Sequence, residues 1–127
     1  MKLIIAGTRS FNLYKTFLFD FFDYFDFNAV PRTELEIVSG GCCGVDSTAI
    51  EFAKDINIKF KVFEADWKTH GKAAGPIRNK EMAQYADALL LIWDGESRGS
   101  RNMKEEMISL NKPVYEVILR GNNARPK

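Results

Sequence analysis

The chain has little to offer a metal ion or a disulfide: of its 127 residues two are cysteine and one is histidine. Cys42 and Cys43 are adjacent, where a disulfide ring is strained, and two thiolates cannot close a zinc cage. They read as small buried residues beside a glycine turn. His70 stands alone, which excludes a histidine cluster, and no metal is indicated. An excess of charge is also missing, because 18 Lys and Arg face 17 Asp and Glu for a formal net charge of +1. That balance argues against a nonspecific nucleic-acid coat or a polybasic membrane anchor and leaves room only for a local basic patch. The longest apolar stretch, Ala88 to Trp93, is far below the ~20 residues that span a bilayer. Gly7 ends the apolar start at Leu3 before a signal-peptide core is reached. The expectation is a soluble, cytoplasmic protein.

What is present fits one globular domain over residues 1–120 with a polar tail over 121–127: the composition is 46% hydrophobic and 28% charged, without repeats or low-complexity linkers. Apolar runs predict strands at Lys2–Ala6, Leu35–Val38, Phe60–Phe63, Ala88–Trp93 and Val114–Leu119. Helical spacing falls between them, at Leu13–Phe27, Val45–Lys54, Ile77–Tyr85 and Arg101–Leu110. Strand–helix alternation with short links predicts an α/β fold, a Rossmann-like three-layer sandwich on a five-stranded parallel sheet. The first predicted helix is unusual, since seven of the ten phenylalanines lie between Phe11 and Phe27. Its apolar circumference, including Phe21, Phe22 and Phe25, exceeds what packing on a sheet requires. Contact between copies in a homo-oligomer is the reading adopted, with cover by neighbouring elements as the alternative.

The links divide into two classes. Those from helix to strand are ordinary, whereas those from strand to helix hold the glycines, hydroxyls and arginines. The latter are Gly7-Thr8-Arg9-Ser10, Ser39-Gly40-Gly41-Cys42-Cys43-Gly44-Val45-Asp46, the long Ala65–Asn79 segment, and Asp94-Gly95-Glu96-Ser97-Arg98-Gly99-Ser100. A parallel sheet brings all of these to one edge, where carboxyl ends of strands meet amino ends of helices. First-turn N–H groups, the helix dipole and close backbone approach at glycine suit that edge to an anion such as a phosphate. Neither the Gly-x-Gly-x-x-Gly fingerprint nor a P-loop is present. Asp46 either complements the helix dipole or accepts from ribose hydroxyls. Arg9, Arg78 and Arg98 offer bidentate recognition of phosphate. Trp67 and His70 either pack under the long link or stack on a base.

These residues in this order resemble the SLOG superfamily, which includes the lysine-decarboxylase-like LOG enzymes and the DNA-processing protein DprA, and most closely its small YspA-like branch. The carriers are Gly7-Thr8-Arg9, Ser39-Gly40-Gly41 with Gly44-Val45-Asp46, Trp67, His70, Gly75-Pro76, Arg78-Asn79, Met82-Ala83 and Ser97-Arg98-Gly99-Ser100. The resemblance implies a crevice that holds a nucleotide or nucleotide-derived ligand, ADP-ribose-like in some members, and it requires no cofactor. LOG enzymes hydrolyse the N-glycosidic bond of nucleoside monophosphates, and Arg78-Asn79-Lys80-Glu81-Met82-Ala83 is similar to one of their motifs. Their second motif places a glutamate where this chain has Met103, so the expected carboxylate is missing and Asp46 or Asp94 would have to replace it. Three functions follow: capture of a nucleotide-derived small molecule, nucleotide N-glycosidic hydrolysis with Arg78 and Asp46 as catalytic candidates, and DprA-like DNA binding. Near-zero charge without a basic stripe sets nucleic acid last.

Overall fold

The computed structural model of the chain describes residues 1–7, 32–41 and 45–118. Thr8, Arg9, Ser10, Gly44, the cysteine pair, the predicted Phe-rich helix with its oligomer face, Leu119 and the tail 121–127 lie outside the described residues. Five strands, β1 (Lys2–Gly7), β2 (Glu36–Ser39), β3 (Lys59–Val62), β4 (Ala88–Trp93) and β5 (Val114–Ile118), form one sheet in the order β3-β2-β1-β4-β5. Every pairing is parallel, with Leu3 opposite Ile37 on one side of β1 and Gly7 opposite Ile92 on the other. The helices among the described residues are α1 (Val45–Asp55), the single turn α2 (Trp67–His70), α3 (Ala74–Tyr85) and α4 (Arg98–Ser109).

Side chains alternate across a strand, and here both faces find a helix. Leu3, Ile5, Ile37, Leu90 and Ile92 pack with Val45, Ala49 and Phe52 of α1 on one face. Ile4, Ala6, Val38, Leu89 and Leu91 pack with Met82 and Ala83 of α3 and Met103 and Met107 of α4 on the other. All six residues of β4 are consequently buried, which is why that strand is a continuous apolar run. The predicted Rossmann-like architecture is the observed one.

Two predicted helices begin earlier than their spacing suggests. α3 starts at Ala74 rather than Ile77, and α4 at Arg98 rather than Arg101. Gly75, Pro76 and Gly99 are poor interior helix formers, but the first turn tolerates them because its N–H groups have no partner inside the helix. The links expected to be irregular also hold short structure, a 3-10 turn at Arg32–Glu34 and another at Gly71–Ala73 after α2. Asp66 starts α2 by accepting from the Thr69 amide at 3.2 Å, and hydrogen bonds from the Thr69 side chain and then from that amide hold its carboxyl below the usual range. At the other end of α3, the Lys112 ammonium donates to the carbonyls of Ala83, Gln84 and Ala86 at 2.7, 3.2 and 2.7 Å, satisfying its last turn.

No helix among the described residues is long and apolar enough to cross a membrane.

Candidate functional site

Strand order reverses direction at β1: the chain steps outward through β2 and β3, then returns to place β4 on the other side of β1. At such a switch point the loops leave in opposite directions and a crevice opens beyond the strands' carboxyl ends. A cavity of about 290 Å³ lies there, lined by Ala6 and Gly7 of β1, Gly40, Asp46, Arg78, Asn79, Met82, Ser97, Gly99, Ser100 and Met103. Residues from four separated parts of the chain therefore meet at one point.

Two glycines make the cavity possible for different reasons. A Cβ on Gly7 would stand 1.8 Å from the Ile92 carbonyl oxygen, so close pairing of β1 with β4 excludes any side chain at the cavity floor. A Cβ on Gly40 would stand 2.7 Å from Nη1 of Arg78 and 2.9 Å from Oδ2 of Asp46. The guanidinium and the carboxylate thus share the space that Gly40 leaves open. Ser39 holds this turn in place, donating to the Asp46 carbonyl at 3.0 Å and accepting from the Gly41 amide at 3.1 Å, and it is fully buried.

Arg78 is fixed by two bonds. Its Nη1 donates to the Gly40 carbonyl at 2.9 Å and its Nε to Oδ1 of Asn79 at 3.1 Å. A guanidinium has five N–H donors in one plane, so these bonds orient the plane without exhausting the group. Asn79, which is buried, turns its Nδ2 to the Gly99 carbonyl at 3.3 Å and to Oδ1 of Asn102 at 2.9 Å. One side chain therefore sets the arginine and ties α3 to the first turn of α4. Across the cavity, Gly99 and Ser100 belong to that first turn, where backbone N–H groups lack intrahelical acceptors and the dipole is positive. Ser97 makes no side-chain cap bond there.

The remaining predicted site residues have other places. Val45 is wholly buried in the core and Gly41 forms the exposed turn, with φ at 72°. Asp94 is used locally: its Oδ1 accepts from the amides of Glu96 and Ser97, each at 2.9 Å, and shapes the entry to α4. Arg98 is exposed and, with Trp67, His70 and Gly75, does not line the cavity. Conversely, Ala6, Met82 and Met103 line it and were not among the predicted ligand contacts. Helical spacing could have found the two methionines, since Met82 follows Arg78 by one turn and Met103 follows Ser100 by one turn. Among the described residues, no group of three or more His, Cys, Asp or Glu is placed to hold a metal ion.

No family model matches the chain. The fold itself is that of DprA. The chain is similar to DprA from Streptococcus pneumoniae with a TM-score of 0.71 and 16% identity, covering 97% of this chain and 52% of that one. It is similar to DprA from Helicobacter pylori with a TM-score of 0.69 and 20% identity, covering 96% and 67%. The chain thus spans about half the length of the pneumococcal protein. Fold and crevice together define a Rossmann-ordered α/β domain with a DprA-like fold. Within that class the chain belongs to the family of the Gene 61 protein of Mycobacterium phage D29, with which it is 36% identical over 86 residues, 63% of this chain and 69% of that protein.

Proposed function

We propose that the switch-point crevice binds a nucleotide or nucleotide-derived ligand, ADP-ribose-like or a nucleoside phosphate, for sensing or sequestration. The observation that carries this reading is the guanidinium of Arg78, oriented by Gly40 and Asn79 and facing a cavity whose other side is the amino end of α4. A fixed cation opposite amides that have no acceptor inside their own helix matches the tetrahedral oxygens of a phosphate, and Asp46 beside it suits ribose hydroxyls. Gly7, Gly40, Asp46, Arg78, Asn79, Ser97, Gly99 and Ser100 are the contacts this reading assigns, and the resemblance to the SLOG superfamily and to its YspA-like branch accords with it.

Binding without hydrolysis is the form the site favours. The position where LOG enzymes have glutamate is Met103, a buried thioether that lines the cavity, and Asp46 is the carboxylate among the described lining residues. Among the described lining residues, any acid–base step on a glycosidic bond would therefore fall to Asp46, with Arg78 positioning the ligand.

A second reading has its own support. The Helicobacter pylori DprA of similar fold binds single-stranded DNA, and this chain from Trp67 to Lys80 carries Lys68, Lys72, Arg78 and Lys80 with no Asp or Glu. The balanced net charge hid that local run.

Thermal shift with AMP, ADP-ribose, NAD and a short oligodeoxynucleotide tests both, followed by chromatography of the incubated ligand. Stabilisation with the ligand recovered intact is expected, and free base in the eluate would establish the hydrolase. Arg78→Ala should remove the stabilisation while lowering the unliganded Tm by only a few degrees, the cost of about 1 kcal/mol for its lost hydrogen bonds. Full ligand response in that variant would overturn the site.

A further inference from the structure

A cavity of about 290 Å³ falls at the low end of the ~300–1,000 Å³ that encloses a small-molecule ligand. The cavity leaves little spare room around a nucleotide whose phosphate meets Arg78, so the end remote from the phosphate comes to the rim. The surface next to Arg78 is set by α3. Gly75 lies one turn earlier on the same helical face, and a Cβ at Gly75 would be 3.5 Å from Cη2 of Trp67. The indole is thus seated against the bare backbone of α3, one turn from the guanidinium.

Among the described residues, no packing accounts for Trp67. It belongs to neither core cluster and is 51% exposed, whereas tryptophan is among the most buried residues on average. The exposure decides against the alternative that it packs under its link. Lys68, His70 and Lys72 around it are exposed as well, and the carboxylate just before it, Asp66, is engaged with the Thr69 amide. An open aromatic face with the exposed Lys68 and Lys72 close by in the chain suits one occupant, a nucleobase carried by a phosphate, because bases stack on indole and the lysines attract the phosphate.

We propose that Trp67 is the base platform of the crevice: the sugar–phosphate enters beside Arg78 and the base remains outside, stacked on the indole. The proposal rests on the nucleotide reading of the cavity. It assigns selectivity for a base-bearing ligand over a bare sugar phosphate to one residue outside the cavity.

Titration calorimetry with AMP and with ribose 5-phosphate, on wild-type protein and on Trp67→Ala and Trp67→Phe, separates the two claims. AMP should bind wild type roughly five- to a hundredfold more tightly than ribose 5-phosphate. Trp67→Ala should erase that difference and leave ribose 5-phosphate affinity within about twofold, while Trp67→Phe should keep much of it. AMP should also quench the tryptophan emission of wild type, since Trp93 is buried and Trp67 is the exposed indole among the described residues. Equal affinity for the two probes in wild type, untouched by Trp67→Ala, would refute the platform and leave the crevice reading intact. Binding of neither probe would overturn both. A dA oligomer run in parallel distinguishes the source of the base: affinity that grows with length identifies a strand, affinity equal to that of AMP a free nucleotide, and either upholds the platform if Trp67→Ala weakens it.

Discussion

A glycine can be indispensable to the fold or to the ligand, and Gly7 and Gly40 divide along that line. The atom that a Gly7 side chain would strike is a backbone oxygen of the neighbouring strand, which cannot move without parting the central pair of the sheet. Gly7→Ala should therefore cost about 3 kcal/mol or more in a urea titration. The atoms that a Gly40 side chain would strike are the ends of the Arg78 and Asp46 side chains, which can swing away. Gly40→Ala should lower stability by only about 1 kcal/mol and yet abolish the nucleotide thermal shift. Equal destabilisation in the two variants would show that Gly40 is structural. Both glycines were legible in the sequence as members of strand-to-helix links, but their difference was not. It depends on what stands opposite each one, and Ile92 and Arg78 are distant in the chain.

Elements are joined near the site by a small number of polar ties. Glu116 on β5 accepts from Nε1 of Trp93 on β4 at 2.6 Å and from Nζ of Lys104 on α4 at 3.0 Å. Desolvation pushes its carboxyl up, but the bonds from Lys104 and Trp93 together outweigh that and hold it below the ordinary range. A carboxyl depressed in the folded state adds stability above its unfolded pKa and loses it as pH falls through the folded value. Wild-type stability should therefore decline on acidification from about pH 5 to pH 2 slightly more steeply than that of Glu116→Gln, by less than about 1 kcal/mol near a screened surface. Parallel pH profiles in the two proteins would remove Glu116 from the acid response. The tie pins the middle of α4, whose first turn lines the cavity. Helical periodicity located α4 but not its first turn, because Arg98-Gly99-Ser100 has the composition of a loop. Three residues credited to a link are consequently the start of a helix, and two of them, Gly99 and Ser100, line the cavity from its first turn.

For the whole molecule, the parallel order with its switch at β1 decides where any ligand can go, and the charge pattern separates the two candidate ligands. A free nucleotide neutralises few cations, so its affinity should change little with salt. A strand engaging Lys68, Lys72 and Lys80 as well as Arg78 releases counterions, and the logarithm of its binding constant should fall by about 0.7 per phosphate contact for each tenfold rise in salt. Filter binding of an oligodeoxynucleotide between low and physiological salt distinguishes them; a flat response would remove the strand reading. The sequence by itself determined the alternation of strand and helix, the buried central strand and the gathering of unusual residues in one class of link, because apolar periodicity and turn composition are local properties. Tertiary structure alone decided that Asn79 aims Arg78, that Met82 and Met103 line the cavity, and that Trp67 stays exposed beside Gly75 of α3. Those outcomes turn on which groups the folded chain sets face to face: Gly99 and Asn102, 20 and 23 positions further on, are what hold Asn79 in place, and no local pattern encodes such a meeting.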